Sequence, residues 1–247
     1  NDREYVLCED KILDKYDSLR LSILGIYEPL TVKYFKEAIK PGDTVLDIGA
    51  HIGYYTLIAA KYVGKSGKVI AFEPSSDNTD ILAYNIKLNK YKNVTVVKRA
   101  VSDSARKAKL FLNPLSTGMH SLVDIGYNKK DVIEVETISL DEFFKKGTPK
   151  IDIIKMDIEG GEYSAIVGMK KLLRKNRHLH LFTEFSPYSI KKAKQTPRGF
   201  LRLLKSFGFN LYVIDESKEK LLPININKFI SFAPLNRDWH INLLAVK

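Results

Sequence analysis

The segment Thr44-Val45-Leu46-Asp47-Ile48-Gly49-Ala50-His51-Ile52-Gly53-Tyr54-Tyr55-Thr56 constrains the fold more than any other part of the chain. Thr44 to Ile48 is a short β-branched and aliphatic run, which reads as a strand buried on both faces of a parallel sheet. Two glycines four apart close it, and Tyr54, Leu57, Ile58 and Ala59 then fall at helical spacing. A strand, a glycine-bearing turn and a helix N-terminus together build a ligand crevice at the edge of an α/β sheet.

The same alternation runs on from there. Strands are expected at 44–48, 68–73 and 94–98 with helices at 54–63 and 77–89, a βαβαβ half whose right-handed crossovers set the strands side by side. Further strands are expected at 151–156, 179–185, 209–214 and 240–246, with helices at 139–146, 162–175 and 197–207. The last two strands are joined with no helix between them and must be antiparallel. The prediction is a Rossmann-like, mostly parallel seven-stranded sheet with an antiparallel last strand and helices on both faces.

Two stretches break the rhythm. Residues 113–131 separate strands at 109–112 and 132–137, and a loop of that length predicts a lid or binding segment. Residues 215–239, with Pro223, Pro234 and many Asn, read as an extended insertion beside a substrate pocket. Residues 1–40, with the Leu19 to Ile26 run and with Val32, Phe35 and Ile39, read as a helical extension capping a domain at 41–247. Pro41-Gly42 ends that extension.

At 247 residues and 45% hydrophobic content the chain can bury a full core, and no apolar run approaches the roughly 18 residues of a membrane span. The lone Cys8 forbids an internal disulfide and fits a reducing, cytoplasmic setting. The net charge of +11 reads as a solvated, lysine-rich surface or as attraction to a phosphate-rich partner.

The turn lacks three-glycine dinucleotide spacing, because Ala50-His51-Ile52 separates Gly49 from Gly53. A ligand with an amino-acid tail suits it better than a diphosphate, and Asp47 at the strand end would face that tail's ammonium group. Glu73 follows Gly53 by 20 residues and can accept hydrogen bonds from both ribose hydroxyls of an adenosine, with Pro74 fixing the next turn.

These residues resemble class I S-adenosylmethionine-dependent methyltransferases and, within them, the FkbM family. The resemblance rests on Val45 to Thr56, Ala71-Phe72-Glu73-Pro74-Ser75, Asn85 to Asn89, Arg99-Ala100-Val101-Ser102-Asp103, Ser139-Leu140-Asp141, Ile151 to Glu162, Thr183-Glu184-Phe185 and Asn242 to Val246. The Lys155-x-Asp157-x-Glu159-Gly160-x-Glu162 block is its most specific part. It implies that Asp47, Gly49, Ala50, His51, Gly53, Tyr54 and Thr56 form the turn around the methionine tail. Glu73 would then bind the ribose with Pro74 beside it, Ala100, Val101 and Ser102 or Asp103 would line the adenine, and Asp157 would also contact the cofactor. His51 stands where the family commonly has Asn.

Methyl transfer to a hydroxyl requires positioning and a base. Asp157 and Glu159 are the base candidates, with Glu184 at the end of the next strand orienting the acceptor. The crowded acids Asp157, Glu159 and Glu162 also admit a divalent metal, or simply suit a helix N-terminus. Glu162 reads as structural, and Lys155 as an ion-pair partner of Asp157. His51 and His120 are alternative bases, each also readable as an ordinary loop histidine. The acceptor implied by the family is a sugar, glycan or small polar metabolite. RNA and a non-catalytic cofactor-binding module are the alternatives.

Overall fold

The computed structural model describes residues 27–126 and 131–247. The expected Leu19 to Ile26 helix, and residues 127–130 of the expected lid, lie outside the described residues. The first element, α1 (Pro29–Ala38), is followed by β1 (Thr44–Ile48), α2 (Tyr54–Val63), β2 (Lys68–Phe72), α3 (Ser76–Leu88) and β3 (Val94–Val97). Next come β4 (Ala100–Val101), β5 (Lys107–Phe111), β6 (Val132–Ile138), α4 (Leu140–Phe143), β7 (Ile153–Met156), α5 (Glu162–Val167) and α6 (Lys170–Lys175). The chain closes with β8 (His180–Phe185), α7 (Pro187–Lys192), α8 (Pro197–Ser206), β9 (Asn210–Asp215), β10 (Lys220–Pro223), α9 (Ile226–Phe232) and β11 (Ile241–Val246).

The main sheet has the order β10-β9-β11-β8-β7-β1-β2-β3. Strands β3, β2, β1, β7 and β8 are parallel, and β11 runs antiparallel to both β8 and β9. It therefore holds eight strands rather than seven. The extra strand, β10, comes from the 215–239 stretch, where Leu221 and Leu222 pair with Ile214 and Val213 across a turn that Asp215 ties by accepting from the Lys218 amide. Pro223 is tolerated because β10 is the edge of the sheet. The same stretch also forms α9, capped by Asn225, whose Oδ1 accepts from the Lys228 amide. A strand and a helix thus separate β9 from β11, and the expectation of a direct connection is corrected. The antiparallel pairing stands.

Strands β5 and β6 pair antiparallel and, with β4, form a small second sheet. The helix expected over 162–175 is broken into α5 and α6 at Gly168-Met169. A Cβ on Gly168 would lie 2.0 Å from the Ser102 carbonyl oxygen, so the helix is interrupted where it presses on the chain after β4. Asp141 accepts from the amides of Lys171 and Leu172 and starts the second half.

Period-two alternation sorts the central strands into two apolar layers. Val45 and Ile153 pack with Phe35 of α1 and Tyr55, Ile58 and Ala59 of α2, whereas Leu46, Ile48, Ile154 and Met156 pack with Leu140, Ile166, Leu172 and Leu204. Asp47 and Lys155, directly paired across β1 and β7, project on the face shared by Val45 and Ile153. A buried ion cluster therefore sits under α2, at the C-terminal edge of the sheet.

Candidate functional site

The strand order runs away from β1 in both directions, so the crevice opens beyond the C-terminal ends of β1, β2 and β7. Gly49 has φ +83°, and a Cβ there would lie 1.9 Å from the Asp157 carbonyl oxygen. Only glycine lets the two strand ends approach this closely. Its amide and that of Ala50 donate to the Phe72 carbonyl, and Gly53 begins α2 with φ +102°.

Glu73 is buried and fastens three segments. One carboxylate oxygen accepts from the His51 amide at 2.9 Å, and the other from the Ser75 amide at 2.9 Å and Asn78 Nδ2 at 3.4 Å. Burial pushes its carboxyl up to about 7, opposed by these donors. A carboxylate offers about four lone-pair positions, so acceptor capacity remains toward the cleft. That cleft is a narrow slot of about 40 Å³ walled by Phe72, Ala100, Val101, Leu110 and Leu122. Thr117 roofs it: its Oγ1 lies 2.7 Å from His51 Nε2, and its carbonyl accepts from Asn78 Nδ2 at 3.1 Å.

Across Gly49, His51, Gly118 and Asp157 the slot meets a larger cavity of about 360 Å³. Asp47 is on its inner wall, with Thr56 Oγ1 donating to its Oδ2 at 2.5 Å, and burial raises its carboxyl to about 6. Lys155, only 1% exposed, donates to Asp157 Oδ2 at 2.9 Å and lies 4.7 Å from the centre of the Tyr55 ring. Burial works to lower its ammonium, but Asp157, Glu28 and Asp47 together raise it above its ordinary value. Lys155 is thus a buried, fixed cation on the wall of an acidic pocket.

Asp157, Glu159 and Glu184 each present a carboxylate oxygen within 4.8 Å of the others, on the wall of the same cavity. Burial raises the Glu184 carboxyl well above its usual range, and Glu159, Asp157 and Glu162 add to this. Glu162 turns away, accepting from the Ile158 amide at 3.1 Å and bracing the loop before α5. Tyr27, Tyr54, Arg237, Asp238 and His240 complete the outer wall.

The family model described as the methyltransferase FkbM domain matches residues 47–211. The chain belongs to this FkbM family. The hexuronic acid methyltransferase AglP of Haloferax volcanii is 27% identical over 145 residues, covering 58% of this chain and 56% of that protein. The 2-O-methyltransferase NoeI of Sinorhizobium fredii is 38% identical over 76 residues, 30% of each chain. The chain spans about half the length of the first curated relatives it matches. Among solved structures, the SAM-dependent O-methyltransferase TM0748 of Thermotoga maritima is similar in fold, with a TM-score of 0.50 at 15% identity over 90% of this chain and 66% of that one. No helix among the described residues is long and apolar enough to cross a membrane.

In this FkbM domain Asp47, Gly49, Ala50, His51, Tyr54, Glu73, Pro74, Ala100, Val101, Asp157, Glu159 and Glu184 all border the two joined cavities. Three expected residues stand behind the walls instead. Gly53 packs against Leu82, Thr56 acts through its bond to Asp47, and the Ser102 amide donates to the Ile138 carbonyl. Asn78, Thr117 and Glu28 are parts of the site that no sequence motif singles out. Asn78 had one signal, a polar side chain in the first turn after Glu73-Pro74-Ser75. Glu28 accepts from Tyr55 and from Asn242, 214 residues away, and nothing local announces it. His120 Nδ1 accepts from the Asn113 amide, which ties that ring to the roof segment.

Proposed function

We propose that this FkbM domain binds S-adenosylmethionine along the joined cavities and methylates a hydroxyl of a sugar or glycan, releasing S-adenosyl-L-homocysteine. One observation carries the reading. A carboxylate facing an apolar slot (Glu73) and a carboxylate cluster facing a polar cavity (Asp157, Glu159, Glu184) flank the same glycine turn. The residues fit the cofactor's chemistry. The apolar walls suit a flat base, Glu73 suits vicinal ribose hydroxyls, and Asp47 suits an ammonium group.

When bound, the cofactor supplies a methyl carbon activated by its sulfonium. The protein contributes orientation and proton handling. Gly49 gives backbone access beside the strand ends, and Lys155 holds the Asp157 carboxylate in place. Asp157 and Glu159 face the acceptor cavity, where a carboxylate can take the hydroxyl proton as the carbon–oxygen bond forms. Glu184 orients the acceptor from β8. The sugar acceptor is supported by the hexuronic acid and 2-O-methyltransferase names of the two relatives.

The segment 113–131 acts in this reading as a lid. Its Thr117 lies over the slot, bonded to His51 and Asn78, and withdraws to admit the base. The test is release of S-adenosyl-L-homocysteine on incubating the chain with cofactor and a panel of uronic acids, neutral methyl glycosides and a structured RNA. Turnover with a sugar supports the proposal. Turnover with RNA alone, or cofactor binding without turnover on any acceptor, refutes it.

A further inference from the structure

The acid cluster beside the acceptor cavity has one member that protein contacts leave unexplained. Glu184 is 8% exposed, yet among the described residues its carboxylate makes no hydrogen bond or ion pair, and it points into the cavity wall where Asp157 and Glu159 converge. A buried carboxylate without a donor is costly, and native interiors retain one where a partner arrives from outside the chain. Asp157 gives one oxygen to Lys155 and keeps the other.

We propose that Asp157, Glu159 and Glu184 form a binding site for a hard divalent cation such as Mn²⁺, Mg²⁺ or Ca²⁺. The ligand chemistry is all oxygen, which selects these ions over soft ones. The geometry agrees: ligands on opposite sides of a calcium ion at about 2.4 Å lie about 4.8 Å apart, and those of a magnesium ion about 4.2 Å apart. The three oxygens already lie within 4.8 Å of one another, so side-chain rotation is enough to close the shell. Water or the acceptor's hydroxyl fills the remaining positions. Glu162, the third acid of the local motif, is replaced in this set by Glu184 from a different strand. The role of the ion in turnover rests on the methyltransferase reading. The binding site itself does not.

The test uses the full chain without cofactor or acceptor, stripped with chelator, and titrated with Mn²⁺ alone by calorimetry and by loss of the free-ion electron paramagnetic signal. One ion per chain is expected, with Glu184→Gln and Glu159→Gln each weakening it at least tenfold while circular dichroism stays unchanged. Each variant reads the other, so a misfolded one does not decide the result. Absence of binding up to several millimolar Mn²⁺, or binding that both variants leave intact, overturns the proposal. A parallel S-adenosyl-L-homocysteine titration separates the two ideas. Nucleoside binding without the ion sinks only the cation site, and ion binding without the nucleoside sinks only the methyltransferase reading.

Discussion

Replacing Lys155 by Met is expected to destabilise the fold by about 3–4 kcal/mol. The side chain is enclosed in the β1–β7 seam, 2.9 Å from Asp157 Oδ2, with the Tyr55 ring 4.7 Å away. At an effective dielectric of about 20 the ion pair alone is worth roughly 6 kcal/mol of Coulomb energy, and a desolvated ammonium over an aromatic ring adds about 2. The desolvation that Lys155 no longer suffers in the variant offsets a large part of this. The partial exposure of Asp157 (28%) lets water screen the carboxylate left behind. Breaking a buried pair typically costs about 3–5 kcal/mol, and the exposure of Asp157 places this one at the lower end. In a chain of this length that corresponds to a melting temperature lower by about 10 °C. The assay is urea denaturation of wild type, Lys155→Met, Asp157→Asn and the double variant, in chelator. The double variant should cost about 2 kcal/mol less than the sum of the singles, because neither member of this pair is then left without the other. A single-variant cost below about 1 kcal/mol, or strict additivity, would refute the claim that this pair anchors the site.

Three further outcomes are expected. Gly49→Ala should either fail to accumulate as soluble protein or lose cofactor binding, because the new methyl group meets the Asp157 carbonyl and φ +83° is strained for alanine; near-native stability and affinity would show that the strand ends are looser than described. Glu73 has its carboxyl raised from 4.5 to about 7, so its contribution to stability is full below about pH 4.5 and is lost as pH rises through 7. The stability difference between wild type and Glu73→Ala should therefore fall by about 3 kcal/mol between pH 4.5 and 8, and a flat difference would contradict the burial argument. Asp157→Ala combined with Glu159→Ala should remove turnover while cofactor affinity changes less than about tenfold; surviving turnover would put the base elsewhere.

Much of this site was legible because its signals are local. The Gly49–Gly53 spacing, the strand-end acid at Glu73 and the two-residue offset of Lys155 from Asp157 each map onto strand or turn geometry without knowledge of the tertiary fold. Glu184 was also legible as a strand-end acid. Its meeting with Asp157 and Glu159 follows from β8 pairing with β7. The eighth strand was not legible: Leu221-Leu222 is a two-residue apolar signal next to Pro223, and pairing with β9 made it a strand. The break between α5 and α6 was hidden for a similar reason, since Gly168 inside a helical pattern reads as tolerated until the Ser102 backbone is seen against it. Thr117 gave no signal, because its contacts to His51 and Asn78 span 66 and 39 residues.

The central claim is that an adenosine lies between the apolar slot and the glycine turn, with Glu73 on its sugar. A crystal structure of the chain soaked with S-adenosyl-L-homocysteine tests this most directly. The account predicts both ribose hydroxyls within hydrogen-bonding distance of the Glu73 carboxylate, the base against Phe72, Ala100 and Val101, and Thr117 displaced from His51. A nucleoside bound away from Gly49 and Glu73 would contradict it.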